Sequence, residues 1–139
     1  MDIHSEQVEI RTKGFTDIIN ITNAVHRFVS KNKCREGQLL VFINGSTAAV
    51  STIEYEPGLL QDLPELLEKY IPMGSHYHHD DTWHDGNGYA HLRSTLIGTS
   101  MTIPVINGRV VLGTWQQIIL IDFDNKPRVR QVVLQFSGN

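Results

Sequence analysis

The chain from Thr99 onward contains four consecutive segments with the pattern of β-strands and no helical pattern between them. These segments cover residues 101–106, 109–113, 117–123 and 129–136. The first two are separated only by Asn107-Gly108, a dipeptide typical of a two-residue hairpin. Parallel strands need crossover connections, usually helices, so short turns between consecutive strands predict antiparallel pairing. This part of the chain therefore excludes a strictly alternating βαβ fold.

The first half of the chain combines strand and helix patterns. Further strands are predicted at residues 7–12, 39–43 and 48–55. The turn signal Asn44-Gly45 lies between the last two, which predicts a hairpin. Apolar residues at three- and four-residue spacing predict a first helix that is capped by Thr16 and ends near Asn32.

Two more helices are predicted in the middle of the chain. Pro57 opens a helix over residues 57–70, with its leucines on one side and its acidic residues largely on the other. Asp85 is placed to cap a shorter helix that runs to Ile97 and is closed by Gly98. The count is then about seven strands and three helices. It predicts an α+β fold with a mixed, mostly antiparallel sheet, formed as a single compact domain over residues 1–139.

Composition narrows the classes of partner. The chain has 12 basic and 15 acidic residues and a net charge of -3, so it lacks the basic excess of most nucleic-acid-binding proteins, and a small polar partner fits better. Cys34 is the only cysteine, which rules out an intrachain disulfide. The sequence shows neither a signal-peptide pattern nor an apolar stretch of the ~18 residues that a membrane span needs. We therefore expect a cytoplasmic protein that binds neither nucleic acid nor membrane.

The segment 76–91 contains five of the seven histidines, interleaved with three aspartates. Imidazoles contribute little apolar volume to a core, but they ligate metals and transfer protons near neutral pH, and nearby carboxylates can orient them. The segment is therefore the first candidate for a functional site. The competing interpretation is a polar surface loop whose histidines form only local hydrogen bonds.

The same histidines can supply a three-ligand metal site. Imidazole suits zinc, nickel, copper or iron. No two of the five have the four-residue spacing that places two ligands on one helical face, so convergence depends on the path of the chain. We expect a divalent ion, zinc first and magnesium as an alternative, with His79, His84 and His91 as ligands and His78 as a substitute for His84.

An anion site is predicted beside these histidines. Asn87 and His91 share one face of the predicted helix, and the amides of residues 86–88 lie at the positive end of its dipole. Arg128 and Arg130 alternate along a strand and share one face, so they can form a two-pronged anion clamp. The competing interpretation of the two arginines is a pair of solvated edge charges that discourage strand pairing.

Two further groups attract attention. Gln116 follows Trp115 directly, and its amide can hydrogen-bond a ligand, although a tryptophan that packs in the core explains the motif equally well. Glu54 offers a carboxylate for general acid or base catalysis or for ligation, and a simple exposed glutamate is the more common outcome.

Together these motifs resemble the YjbQ-like family, which is linked to a secondary thiamine-phosphate synthase activity. The resemblance covers roughly residues 7–138, and its most specific pieces are Gly86-Asn87 with Ala90-His91, and Leu112-Gly113-Thr114-Trp115-Gln116. It also rests on Ser46-Thr47-Ala48-Ala49-Val50 with Glu54, Asp62-Leu63, His79-Asp80, Leu96-Ile97-Gly98-Thr99-Ser100, Ile103-Pro104-Val105 and Pro127-Arg128-Val129-Arg130.

The resemblance implies a homotrimer with a polar pocket that holds the histidines and a metal. It also implies the joining of a pyrimidine pyrophosphate to a thiazole phosphate, as a side activity. Catalytic roles fall to His79, Asn87, His91 and Glu54, and substrate binding to Ser46, Thr47, Gln116, Arg128 and Arg130.

One position departs from the family pattern. Members of the family usually carry a histidine immediately before the Ser46-Thr47 stretch, where this chain has Gly45. Two hypotheses follow. The first is an enzyme, intact or degraded, that acts on a small phosphorylated substrate. The alternative is a non-catalytic trimeric module that binds a metal ion or a phosphorylated metabolite. A purely structural assembly protein is a weaker third.

Overall fold

The structure is a computed structural model that describes residues 1–139. It contains eight strands and four helices. In chain order they are β1 (Asp2–Thr12), β2 (Asp17–Asn20), α1 (Thr22–Lys31), β3 (Gly37–Ile43), β4 (Ala48–Glu54), α2 (Pro57–Tyr70), α3 (His78–Trp83), α4 (Gly88–Ile97), β5 (Ser100–Ile106), β6 (Arg109–Val110), β7 (Gln116–Asp122) and β8 (Arg128–Gly138). None of the helices is long and apolar enough to cross a membrane.

The strands form two antiparallel sheets. The larger has the order β1-β8-β3-β5-β6 and the smaller the order β2-β7-β4. The main core contains residues of both sheets and of α1, including Leu39 of β3, Leu120 of β7 and Val25 of α1. These sheets and helices confirm the predicted α+β class and its mostly antiparallel pairing.

The small sheet is buried on both faces. Ile118 and Leu120 of β7 belong to the main core, whereas Ile119 and Ile121 pack in a second cluster with Tyr89 of α4 and Leu67 of α2. Because both faces are covered, β7 has a continuous apolar run where a half-buried strand would alternate polar and apolar residues. Helix α4 is thereby fixed against the small sheet, and it carries the residues of the candidate site.

The predicted start of the first helix is wrong. Ile18 and Ile19 lie in β2, where they pair with β7, and α1 begins only at Thr22. Thr16 cannot act as the cap because it has a left-handed backbone with φ of 63° and precedes a strand. Asn20 stabilises the true start of the helix, since its Oδ1 accepts a hydrogen bond of 3.0 Å from the Thr22 N–H.

The two predicted hairpins have different outcomes. Strands β3 and β4 do not pair, because residues 44–47 carry the chain from the large sheet to the small one. The β5–β6 hairpin is confirmed, although β6 is shorter than predicted. Its turn residues Asn107 and Gly108 both have positive φ, 52° and 77°, as a two-residue hairpin of this kind requires.

The helices of the middle region also differ in part from expectation. Helix α2 spans the predicted residues, and Glu56 caps it by accepting hydrogen bonds from the Gly58 and Leu59 amides. Asp85 does not cap α4, which begins only at Gly88. The helix ends at Ile97 and is closed by Gly98, as predicted. The histidine segment also contains a short helix, α3, that the sequence did not predict.

Candidate functional site

A buried network of carboxylates and arginines lies where β7 ends and β8 begins. Asp122 is 0% exposed and accepts hydrogen bonds from Arg130 Nε at 2.7 Å, from Arg130 Nη2 at 2.8 Å and from Thr12 Oγ1 at 2.6 Å. The first two form a bidentate pair between the guanidinium and the carboxylate, an arrangement that fixes the orientation of both groups. Arg130 is therefore a rigid, buried cation.

Asp124 lies two residues further along and connects this network to α4. Its carboxylate accepts hydrogen bonds from Arg128 Nε at 2.9 Å, Thr47 Oγ1 at 3.0 Å and Asn87 Nδ2 at 3.3 Å. Burial by itself would raise the pKa of Asp124. The hydrogen bonds from the Asn125 amide, Arg128, Asn87 and Thr47 together outweigh burial and hold this pKa below its ordinary value. Asp124 is thus ionised at neutral pH.

The hydrogen bond to Asp124 determines how Asn87 is oriented. A carboxylate only accepts, so the amide nitrogen of Asn87 must face Asp124 and its Oδ1 must face the other way. That Oδ1 lies 3.1 Å from His79 Nε2. Since Oδ1 also only accepts, His79 Nε2 must carry a proton, and the Asp85 carboxylate 3.4 Å away favours the same state. In neutral His79, the nitrogen left to accept a proton or a metal is therefore Nδ1.

His79 and His91 form a pair between α3 and α4. Their ring centroids are 4.2 Å apart. Burial lowers the pKa of His91 below its ordinary value, and the neighbouring His79 lowers it further, more than Asp85, Asp124 and Asp80 raise it. His91 is therefore neutral at pH 7 and able to accept a proton or a hydrogen bond.

His91 also lines an open cavity of about 370 Å³, here called the polar cavity. No hydrophobic side chain lines it, and its walls consist of Gly45, Ser46, His91, Ser94, Thr95, Gly98 and Thr99. Arg130 lies close to its rim, because a Cβ atom at Gly45 would be 2.9 Å from Arg130 Nη1. This Nη1 makes no hydrogen bond within the chain, in contrast to Nε and Nη2. Hydroxyl groups and a neutral imidazole thus line the polar cavity, and one guanidinium nitrogen without a partner lies beside Gly45 at its rim.

The structure brings several predicted site residues together here. His79, Asn87, Arg128, Arg130 and Thr47 belong to one hydrogen-bonded network around Asp122 and Asp124, and Ser46 and His91 line the adjoining cavity. The predicted anion clamp is already occupied by protein carboxylates, because Arg128 pairs with Asp124 and Arg130 with Asp122. Their interpretation as solvated edge charges is also wrong for Arg130, which is buried.

The start of α4 differs from the predicted anion site. The Gly88 amide donates a hydrogen bond of 3.1 Å to Asp80 Oδ1, so a carboxylate of the chain already lies at the helix start. An external anion at the Gly88 amide would meet this negative charge. A donor without a hydrogen-bond partner is found instead at Arg130 Nη1, beside Gly45.

Within one chain, the predicted three-histidine metal site is not assembled. His84 ends α3 in an exposed, left-handed position, and His78 is fully exposed. No three His, Cys, Asp or Glu side chains converge in a way that could hold a metal ion. The chain supplies two imidazoles side by side, those of His79 and His91, where three ligands were expected.

Glu54 and Gln116 lie far from this site. They are register partners at one end of the β4–β7 pair, whereas Ala48 pairs with Asp122 at the other end. The six-residue separation corresponds to about 20 Å along a strand. Gln116 binds Thr52 and the Gly113 amide, and both Glu54 and Gln116 are exposed.

Sequence reasoning missed the two carboxylates that organise the site. Asp124 lies in the turn between the predicted strands 117–123 and 129–136, and Asp122 lies near the end of the first of these strands. The available signal was the pattern Asp-x-Asp followed by Arg-x-Arg across one turn. The turn that connects β7 to β8 brings these opposite charges together, although the two strands lie in different sheets.

Comparison with known proteins identifies the family. Residues 6–139 match the model of the family described as UPF0047 protein YjbQ-like. This chain belongs to the YjbQ-like UPF0047 family. It is 40% identical over 129 residues to a UPF0047 protein of Archaeoglobus fulgidus, a match that covers 93% of this chain and 98% of the relative. A UPF0047 protein of Methanothermobacter thermautotrophicus is 36% identical over 138 residues, which are 99% of this chain and 94% of the relative.

Solved structures show the same architecture. A YbjQ-like protein of unknown function from Sulfolobus solfataricus superposes with a TM-score of 0.93 at 27% identity and covers 99% of both chains. The hypothetical protein APE1520 from Aeropyrum pernix superposes with a TM-score of 0.91 at 33% identity, over 98% of this chain and 99% of its own. These likenesses establish the family and the fold, and the reaction is left to the chemistry of the site.

Proposed function

We propose that this chain is an enzyme that binds a small phosphorylated molecule in the polar cavity and uses the neutral His91 to hold its substrate by a hydrogen bond. The observation that carries the proposal is the cavity wall. It places the neutral imidazole of His91 among hydroxyl groups and glycines, and the unpartnered Nη1 of Arg130 lies beside Gly45 at the rim.

The donors at this cavity suit phosphate oxygens. Ser46, Ser94, Thr95 and Thr99 supply hydroxyl groups, although the Ser94 hydroxyl already donates to the Ala48 carbonyl. A phosphate that binds Arg130 Nη1 would gain a charge-assisted hydrogen bond from a donor that is held in place by Asp122. Donors that are fixed before the reaction stabilise developing charge without reorganisation.

The family resemblance suggests a specific reaction of the thiamine-phosphate synthase type. In it, the nitrogen of a thiazole phosphate forms a bond to the methylene carbon of a pyrimidine pyrophosphate, and the carbon–oxygen bond breaks with its electron pair leaving on pyrophosphate. Arg130 and the hydroxyl groups would bind the leaving pyrophosphate. Asn87, held by Asp124, would position His79, and the neutral His91 would accept a hydrogen bond from the substrate, because this substitution releases no proton.

For a bound metal ion, one chain supplies an incomplete set of ligands. One chain offers His79 Nδ1 and His91, and the structure provides no third ligand. A divalent ion, zinc or magnesium, would therefore need a ligand from a substrate or from another subunit. No step of the proposed reaction depends on such an ion. Elemental analysis of the untagged protein, alongside a His79→Ala, His91→Ala double variant, tests whether these two residues bind one.

We further propose a homotrimer. The outer edge of β1 is unpaired over 11 residues, and exposed strand edges of this length favour association. Leu96 and Trp115 are about 70% exposed, which adds apolar surface for contact between subunits. Glu54 and Gln116 would reach a polar cavity only from a neighbouring subunit. Light scattering that reports a monomer at micromolar concentration would refute the trimer.

The experiment for the reaction uses both half-substrates with purified protein and a divalent metal. Thiamine phosphate should form with the wild type and should fall to background with His91→Ala. His26→Ala is the matched control, since His26 is exposed on α1 and lines no cavity that His91 lines. Equal product with wild type and His91→Ala would exclude a role for His91 in this reaction.

A second function is favoured by Gly45. Where the family pattern has a histidine this chain has none, so the polar cavity lacks one imidazole. The chain would then be a non-catalytic trimeric module that retains a phosphorylated metabolite. Binding of inorganic phosphate that is weakened by Arg130→Lys, together with no turnover of the half-substrates, would support this alternative over the enzyme.

A further inference from the structure

Helix α4 borders a second cavity, here called the Tyr89 cavity, on its other face. Its volume is about 270 Å³, near the small end of the range for ligand pockets. Tyr89 and Arg93 line it, whereas His91 and Thr95 of the same helix line the polar cavity. Because successive helical residues are rotated by about 100°, residues 89 and 93 point away from residues 91 and 95. The two cavities are therefore separate sites.

Tyr89 has a buried hydroxyl group that makes no hydrogen bond. Its side chain is 1% exposed, and its hydroxyl is the one buried side-chain polar atom in the chain that has no partner. Buried polar groups are almost always paired, because an unmade hydrogen bond is costly. Burial raises the pKa of Tyr89 to about 12, so the hydroxyl keeps its proton and remains a donor at physiological pH. A ligand with an acceptor atom would satisfy it.

Arg93 makes the interior of the cavity rigid and leaves it without a free cation. It is 3% exposed, donates to the Ile71 carbonyl and to Thr16 Oγ1, and pairs with Glu68 at 3.0 Å. Its guanidinium carbon lies 5.0 Å from the centre of the Tyr89 ring. Glu65 also lines the cavity, is exposed, and has no cationic partner in the chain. The cavity therefore carries one uncompensated negative charge.

The loop at the mouth of the cavity has a strained backbone. Gly14, Phe15 and Thr16 all have positive φ, 75°, 55° and 63°, and two of them are not glycine. This conformation is held by the hydrogen bond from the Phe15 amide to the Asp124 carbonyl and by the bond from Arg93 to Thr16. Strain of this kind clusters at functional sites. Here it presents the Phe15 ring, 57% exposed, at the cavity.

From these features we infer that the Tyr89 cavity binds a flat heteroaromatic amine. Its ring would lie against Phe15 and Met73, a ring nitrogen would accept the hydrogen bond of Tyr89, and its amino group would donate to Glu65. The apolar mouth supplies contact area for a ring. The uncompensated carboxylate selects against anions and for amino groups. The inference does not depend on the function proposed for the polar cavity.

The test uses adenine and purine, which differ by the amino group, in calorimetric titrations of the full chain. Adenine should bind one to one, and purine should bind about fivefold more weakly. Tyr89→Phe should weaken adenine binding about tenfold, the loss of one buried hydrogen bond. Glu65→Gln should weaken adenine binding and leave purine binding unchanged. Tyr70→Phe, an exposed tyrosine at the end of α2, is the matched control and should change neither affinity.

The outcomes that overturn the inference are distinct. One is the absence of adenine binding to the wild type at millimolar concentration. Another is an adenine affinity that neither Tyr89→Phe nor Glu65→Gln lowers. Adenine binding that is lost in His91→Ala and kept in Tyr89→Phe would place the ligand in the polar cavity instead. If Tyr89→Phe does not fold, Glu65→Gln decides alone, because Glu65 is exposed and its replacement leaves the core intact.

Discussion

The histidine segment and the Asp122–Arg130 network are both dense in polar residues, but they differ in burial. In the segment, His76 and His78 are largely or fully exposed, and their contacts are to the similarly exposed Asp81. In the network, Asp122 is 0% exposed, and its oxygens accept from Arg130 and Thr12. Buried charges need partners of fixed geometry, whereas exposed charges are satisfied by water. The network, not the more crowded segment, therefore sets the geometry of the site.

The largest effect expected from this difference is on stability. Asp122→Ala should destabilise the protein by about 3–5 kcal/mol, because it leaves the buried Arg130 guanidinium without its carboxylate. Asp81→Ala in the histidine segment should change stability by less than about 0.5 kcal/mol. Urea unfolding of both variants measures the contrast. Equal destabilisation would remove the distinction between the two regions.

A smaller loss is expected at Asp124, and it should depend on pH. Asp124→Asn should cost about 2 kcal/mol at pH 7, since the hydrogen bonds to Arg128 lose their ionic acceptor. The folded pKa of Asp124 lies below its unfolded value, so the ionised form stabilises the fold above that unfolded value of about 4. This stabilisation is lost as the pH falls through the folded pKa.

Unfolding experiments at pH 7 and at pH 3 test this pH dependence of the stabilisation by Asp124. The difference in stability between wild type and Asp124→Asn should shrink on acidification. A difference that stays constant over this pH range would show that folding does not lower the pKa of Asp124.

The sequence predicted features that depend on neighbouring residues better than features that depend on long-range contacts. Local patterns correctly placed α2, the end of α4 and the β5–β6 hairpin, because capping and turn chemistry act over a few residues. Ile18 and Ile19 have helical spacing, but they form a strand because β2 pairs with β7. No local signal in the sequence reveals this long-range pairing.

The candidate site was recognised through its histidines but not through its carboxylates. His79 and His91 stood out because they lie close together in sequence. The hydrogen bond between Thr12 and Asp122 joins residues 110 positions apart, and the bond between Thr47 and Asp124 spans 77. Contacts over such sequence distances depend on how the two sheets pack. Without knowledge of that packing, Asp124 can only be interpreted as a turn residue.

Substitution of His84 tests whether this residue only ends α3 or also binds a metal ion. It ends α3 with φ of 56°, a conformation that glycine adopts without strain. His84→Gly should therefore stabilise the protein by about 1 kcal/mol, which thermal unfolding measures. Bound metal, if the purified protein carries any, should be unchanged in the variant. A loss of bound metal together with a loss of stability would show that His84 is a metal ligand, as the sequence predicted.

The smallest effect concerns the pKa of His91. Burial lowers this pKa, and the neighbouring His79 lowers it further. His79→Ala should raise the pKa of His91 toward its ordinary value, because the variant removes the second imidazole and admits water to the first. Titration of the His91 ring by NMR, in wild type and variant, measures the shift. His76→Ala, on the exposed part of the segment, should leave the pKa of His91 unchanged.

The same shift predicts the sign of a pH effect on folding. The folded pKa of His91 is below the unfolded value of about 6.5, so protonation favours the unfolded chain as the pH falls below 6.5. The loss of stability develops as the pH falls from the unfolded to the folded pKa of His91, remains at its full size below both values, and is absent above them. In His79→Ala this acid-induced loss should be smaller, because the two pKa values lie closer together. A pKa of His91 that falls in His79→Ala would mean that the pair shares a proton, and neutral His91 would then be the wrong state for the site.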